Sequence, residues 1–177
     1  MLHRTHRHLD HYDPSAVPSN ASITMGPGFH NVNGFQLLGV QAYHDNCEGL
    51  LSGEVTLFSM LVDGFRIVHL SDLGEMLKPE TIAKLGKPDV LLFPAGEHTT
   101  LSLQEVAQVL MQLKPSIAIP MSFHVPGLVM PAASREDVAK MFPNHRQAQR
   151  VELIQGQRLA PGTEIRILDA MSYPPVV

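Results

Sequence analysis

Apolar residues recur at two spacings in this chain, and the change from one to the other divides it. Up to residue 70 the spacing is that of strands. Residues 23–25 predict a brief strand closed by Gly26-Pro27-Gly28. Residues 29–32 and 35–43 flank Asn33-Gly34, and residues 55–62 and 65–70 flank Asp63-Gly64. Asn-Gly and Asp-Gly supply the positive φ angles of a type I′ turn, so two β-hairpins are predicted. From residue 79 the spacing alternates between helix and strand. Residues 79–85 predict a short helix stopped by Gly86, and residues 89–93 a buried strand. Residues 102–113 put Val106, Val109, Leu110 and Leu113 on one stripe behind a Ser102–Glu105 capping box, and Pro115 ends that helix. Residues 116–121 predict an apolar strand, and residues 134–142 a last helix opened by Ser134 and Asp137. Strands are expected at 151–154 and 164–168, and a short helix or loop at 14–20. No internal repeat and no long linker interrupts the run, so a single domain over 1–177 is expected.

Composition narrows the classes. Apolar residues make up 44% and charged residues 17%, the balance of a globular chain. A net charge of −4 and a pI near 6.2 argue against a general nucleic-acid binder. No apolar run approaches the ~20 residues that span a bilayer. The start is polar and rich in His and Arg, which does not read as a signal peptide. Cys47 is the single cysteine, so no internal disulfide forms; a reducing compartment, and hence a cytoplasmic location, is expected. No neighbouring feature argues for an activated Cys47 thiolate. There is no Gly-x-Ser-x-Gly turn for a serine nucleophile and no phosphate-binding loop for ATP chemistry.

The chemistry concentrates in His6-Arg7-His8-Leu9-Asp10-His11. In an extended segment His6, His8 and Asp10 face one way. His11 breaks that parity, and Asp13-Pro14 predicts a turn into a helix. Such a loop can offer two ligand sets: His6 with His8, and Asp10 with His11. Imidazole and carboxylate suit Zn²⁺ and other first-row ions. The competing reading is a His-rich arm or a tag, since four of the ten histidines fall in the first eleven residues. The interruption by Arg, Leu and Asp is unlike a homopolymeric tag. Three further polar sites, His44, Asp72 and Ser122–His124, also fall just after predicted strands. Loops at one sheet edge can converge on one site. Convergence would give His6, His8 and His44 to one metal, and Asp10, His11 and one further group to a second, with Asp72 as a bridge.

This order and spacing resemble the metallo-β-lactamase superfamily. The residues that carry the resemblance are the His-x-His-x-Asp-His run, Tyr43-His44 and Ser71-Asp72-Leu73-Gly74. It extends to Phe93-Pro94-Ala95-Gly96-Glu97-His98 and Ile119-Pro120-Met121, and so covers Thr5 to Gly127. The nearest likeness is to the stand-alone cytoplasmic hydrolases of that superfamily, the group that includes sugar-phosphate lactonases. The resemblance implies an α+β fold, a four-layer αβ/βα sandwich with a dinuclear metal site at one edge of its sheets.

Two departures stand out. Family members carry N-terminal strands before the His-rich loop, whereas here only Met1-Leu2-His3-Arg4 precedes it. The first half-sheet therefore reads as truncated. That fits a fragment, a misassigned start, or strands borrowed from a second copy in a homo-oligomer, because an exposed edge favours pairing. In the family the last ligand is a His directly after the Pro-Met; here Ser122 stands there. Period-two alternation would put His124 on the same side as Ser122 and so make it a candidate substitute ligand, although two strand rises of ~3.3 Å each carry it to a different point. His98, at a strand end, either faces substrate or is an ordinary loop histidine. His69 reads as a partly buried strand residue, and His30 and His145 as surface histidines.

The expected cofactor is Zn²⁺, two ions in the family, with Mn²⁺ or Fe²⁺ as alternatives. Metals there would lower the pKa of bound water to about 7, and the hydroxide would attack an ester, lactone, phosphodiester or amide bond. Asp10 would hold the second metal and orient the nucleophile. The expected partner is a small-molecule substrate, with no nucleic acid and no membrane. The rival reading is a degenerate, non-catalytic relative that holds one metal or none and serves as a subunit.

Overall fold

A computed structural model gives the fold and describes residues 2–4, 23–32, 34–98, 100–125 and 131–169. The strands are β1 (Leu2–Arg4), β2 (Ile23–Met25), β3 (Gly28–Val32), β4 (Phe35–Tyr43), β5 (Glu54–Val62), β6 (Phe65–His69), β7 (Val90–Pro94), β8 (Ile117–Met121), β9 (Arg146–Ala148) and β10 (Glu164–Leu168). The helices are α1 (Pro79–Leu85), α2 (Leu103–Leu113) and α3 (Arg135–Met141). β1 and β2 pair in parallel as a small sheet, and the other eight strands form one sheet in the order β3-β4-β5-β6-β7-β8-β10-β9. Both hairpins fold as their turns dictate. Val32 pairs with Phe35 around Asn33-Gly34, and Val62 pairs with Phe65 around Asp63-Gly64, whose φ angles are 51° and 86°.

The sheet is antiparallel from β3 to β6 and parallel from β6 through β7, β8 and β10. Two antiparallel steps return the chain to its starting direction, so β4 runs the same way as β6, β7 and β8. The C-terminal ends of these four strands therefore lie on one edge of the sheet, which is why residues far apart in sequence can meet there.

Alternation assigns the two faces. Val40, Ala42, Val55, Leu57, Val68, Leu91, Phe93, Ala118, Ile165 and Ile167 point to the main core, where α2 contributes Val106, Val109, Leu110 and Leu113. That helical stripe is the one the sequence predicts. Phe142, just past α3, meets Phe93 edge-to-face at 5.9 Å. On the other face Val90, Ile117 and Ile119 are covered by Val151, Leu153 and Leu159. A sheet buried on both faces needs continuous apolar strands, and β7 and β8 are built that way.

One sequence expectation is corrected here. Residues 151–154 are not a strand. Val151 and Leu153 alternate because they lie as an irregular cover on the second face, and the chain turns back at once through Gln157 N–H to the Ile154 carbonyl. The extra strand forms instead at β9, paired to β10. β1, which precedes the His-rich run in sequence, pairs with β2 in register Leu2↔Ile23. Among the described residues no helix is long and apolar enough to cross a membrane.

Candidate functional site

The loop after β4 begins with His44, which is 3% exposed. Its backbone is fixed by its own N–H donating to the Gly53 carbonyl at 3.0 Å. The loop between them is wrapped around Asp45. One carboxylate oxygen accepts from the N–H groups of Cys47 (2.9 Å) and Gly49 (2.8 Å); the other accepts from Leu51 (3.0 Å) and Ser52 (2.7 Å). The Ser52 N–H is the foremost cause that holds the Asp45 carboxyl far below the usual carboxylate range. The Cys47 thiol also donates to Asp45 at 3.2 Å, and that bond pushes the thiol's pKa upward. Cys47 is thus a structural donor whose protonated form is favoured, in line with the lack of an activating neighbour in the sequence.

Asp72 comes from the turn after β6. Leu70 and Leu73 are fully buried on either side of it and act as anchors. Ser71 adopts φ 52°, its hydroxyl donates to the Thr56 carbonyl, and its N–H donates to His69 Nδ1 at 3.0 Å. Gly74 closes the turn by donating its N–H to the Tyr43 carbonyl at 2.9 Å. A Cβ on Gly74 would collide with the carbonyl group of His44, so glycine is what allows the two loops to touch. The result is a close pair: His44 Nε2 lies 3.6 Å from Asp72 Oδ2, with both residues buried.

The loop after β7 adds His98 and Thr100. His98 is exposed, its N–H donates to the Gly96 carbonyl at 2.7 Å, and Glu97 has φ 57°. Leu101 ties this loop to the Asp72 turn through its N–H on the Leu73 carbonyl at 2.9 Å. The Thr100 hydroxyl is buried and has no hydrogen-bond partner among the described residues. Together the loops enclose a cavity of about 220 Å³, whose walls include His44, Leu51, Ser52, His98, Thr100 and Glu105.

The loop after β8 does not follow the expected alternation. β8 ends at Met121, and Ser122 turns left-handed at φ 56°, so Ser122 and His124 are no longer related by a strand repeat. His124 is exposed, its N–H donates to the Ala133 carbonyl at 2.8 Å, and it is not part of the cavity wall. The structure thus brings together His44 and Asp72, and sets His98 beside the same cavity as His44. His6, His8, Asp10 and His11 lie outside the described residues. Among the described residues no group of three or more His, Cys, Asp or Glu side chains is arranged to hold a metal ion. The donors present suit one nonetheless: a buried imidazole nitrogen and a carboxylate oxygen converge from two strand ends.

Sequence reasoning missed Asp45 and Thr100, and it placed Gly74 in the turn beside Asp72 without its contact to His44. Asp45 had a usable signal, because Asp followed by Asn46, Gly49, Ser52 and Gly53 is a loop in which a carboxylate can gather backbone N–H groups. Thr100, and the contact of Gly74 with His44, had none, since both depend on loops from other strands.

Comparison with known proteins gives three findings. The family profile of the β-lactamase superfamily domain matches residues 2–122. A UPF0173 metal-dependent hydrolase from Archaeoglobus fulgidus is 28% identical over 137 residues, which cover 72% of this chain and 56% of the relative. Its counterpart from Pyrococcus abyssi is 31% identical over 105 residues, covering 58% of this chain and 47% of the relative. The chain thus spans about half the length of the curated relatives it matches. In structure, a metallo-β-lactamase superfamily protein from Thermotoga maritima superposes with a TM-score of 0.75 at 24% identity, over 94% of this chain and 81% of the other. That superposition bears out the α+β fold expected from the sequence.

Proposed function

This chain belongs to the β-lactamase superfamily, and from that membership we propose that it is a metal-dependent hydrolase acting on an ester, lactone, phosphodiester or amide bond of a small molecule. The observation that carries the reading is the buried His44–Asp72 pair, 3.6 Å apart where two strand ends meet. The names of the curated relatives, metal-dependent hydrolases, point the same way.

His44 and Asp72 are assigned, together with His6, His8, Asp10 and His11 of the run after β1 in sequence, to hold two ions. A bound Zn²⁺, Mn²⁺ or Fe²⁺ supplies Lewis acidity, which brings the pKa of water to about 7 and polarises the electrophilic oxygen. Asp10 is assigned to orient the attacking water. His98, exposed at the cavity, is assigned to meet the substrate. Asp45 acts at one remove, by setting the loop conformation that fixes the His44 backbone. The burial of His44 and Asp72 keeps solvent from competing for their donor atoms.

A second reading, a relative that holds one ion or none and does not catalyse, draws on one observation. His124 points to solvent from a loop tied to Ala133, and Ser122 occupies the strand end. Elemental analysis of untagged protein separates the two, with Asp72→Asn alongside. The hydrolase reading expects two equivalents of metal, a loss of at least one in the variant, and a fall in kcat of about a hundredfold or more, as for loss of a group acting on the transition state. One equivalent or none, or a variant kcat within about twofold of wild type, would overturn it.

A further inference from the structure

The loop that carries His44 also presents two adjacent leucines to solvent. Leu50 and Leu51 are 84% and 83% exposed, the highest values among the exposed large apolar side chains of the described residues. They are not on a loose segment. The Leu51 N–H donates to Asp45 at 3.0 Å, Leu50 N–H to the Cys47 carbonyl at 3.3 Å, and Gly53 N–H to the Gly49 carbonyl at 3.0 Å. The backbone is clamped inward on the Asp45 carboxylate, and the apolar side chains are left outward. Leu51 at the same time forms part of the cavity wall with His44, His98 and Thr100. A fixed apolar patch that continues into a polar cavity is a feature of ligand sites.

The size of the cavity decides what this patch does. At about 220 Å³ it falls short of the roughly 300–1,000 Å³ of a pocket that encloses a drug-sized ligand. Its walls, with Ser52, His98, Thr100 and Glu105, suit a polar reacting group. Whatever else the substrate carries must lie on the rim, whose apolar side chain is Leu51, with the exposed Leu50 next to it in sequence. We infer that these two leucines form a subsite for an aliphatic acyl chain, so that the preferred substrate is a carboxylic ester with a medium-length apolar acyl group. The reacting carbonyl sits at the His44 end and the chain runs outward over Leu51 and then Leu50. This rests on the hydrolase reading above and adds the substrate class to it.

The test separates binding from turnover. Calorimetric titration of zinc-loaded protein with sodium acetate and sodium octanoate compares two carboxylates that differ only in chain length. Full burial of one methylene is worth about a fourfold gain in affinity. Six methylenes on a half-open rim are expected to make octanoate at least about thirtyfold tighter than acetate. The Leu50→Ser/Leu51→Ser protein should lose this ratio to below about threefold, while Ile154→Ser, also apolar and exposed but outside the cavity wall, keeps it. Thermal melts confirm that each variant is folded. In parallel, p-nitrophenyl acetate and p-nitrophenyl octanoate are assayed, and kcat/KM should favour octanoate by a similar factor. An octanoate preference that needs the leucines but comes without turnover of either ester supports the subsite and counts against the hydrolase reading. A wild-type ratio below about threefold, or a ratio that survives in the folded double variant, overturns the subsite even if both esters are hydrolysed.

Discussion

Gly74 is the smallest residue at the site and sets its geometry. The turn that carries Asp72 presses against the His44 carbonyl at the one position where no Cβ intervenes. Gly74→Ala must therefore move backbone, since the obstructing atoms belong to the main chain and cannot rotate away. Overpacking of this kind costs roughly 1–3 kcal/mol, and the upper end is expected here. Urea unfolding should show a loss of about 3 kcal/mol, with metal retention reduced as well because the His44–Asp72 separation changes. A loss below about 0.5 kcal/mol would mean that the two loops adjust freely. The sequence places Gly74 in the turn beside Asp72, but not its contact with His44. His44 and Asp72 could be picked out because each follows a predicted strand. The need for glycine at 74 arises between loops that are far apart along the chain, and periodicity does not report such contacts. Asp45 was passed over for a related reason: its partners are backbone N–H groups, which have no sequence signature beyond the turn residues around them.

Helix ends were the most legible feature, because their chemistry is local. Ser102 accepts from the Glu105 N–H while Glu105 accepts from the Ser102 N–H at 2.8 Å, and Ser134 and Asp137 repeat the arrangement at α3. The second box makes a pH prediction. The Ser134 hydroxyl donates to the Asp137 carboxylate at 2.6 Å and, as the chief cause, holds its pKa below the usual value. A carboxyl with a depressed folded-state pKa stabilises the fold above its unfolded pKa of about 3.9, and that contribution is lost as the pH falls through the folded value. The Tm difference between wild type and Asp137→Asn should therefore be level from pH 7 to about 5 and close below about pH 4. Melts from pH 3 to 7 test it, and a gap that persists unchanged at pH 3 would exclude a charge-dependent cap. The same locality explains the two misread segments. Residues 151–154 have strand-like alternation, but a strand also needs a ladder partner, which pattern alone cannot supply. His124 would share a side with Ser122 only if β8 continued past Met121, and the left-handed backbone at Ser122 ends it.

Across the sheet, the site exists because of strand direction. β4, β6, β7 and β8 deliver four loops to one edge, and each of those loops turns through a non-glycine left-handed residue: Glu48, Ser71, Glu97 and Ser122. Each such residue costs roughly 1 kcal/mol, which the surrounding contacts must offset. The convergence itself could be anticipated from sequence, since it needed only the succession of two hairpins and then alternating helices and strands. How closely each side chain approaches could not. An ion held by His44, Asp72 and the run after β1 would tie that run to the loops after β4 and β6. It should therefore stabilise the fold by mass action, by about 2.7 kcal/mol at a hundredfold excess over Kd. For a chain of this size that is a rise in Tm of roughly 5–10 °C over EDTA-treated protein. In His44→Ala/Asp72→Asn the rise should largely vanish, because both donors of the buried pair are gone. If the variant gained the same increment, the ion would be bound by the His6–His11 run alone, and the buried pair would have no part in holding it.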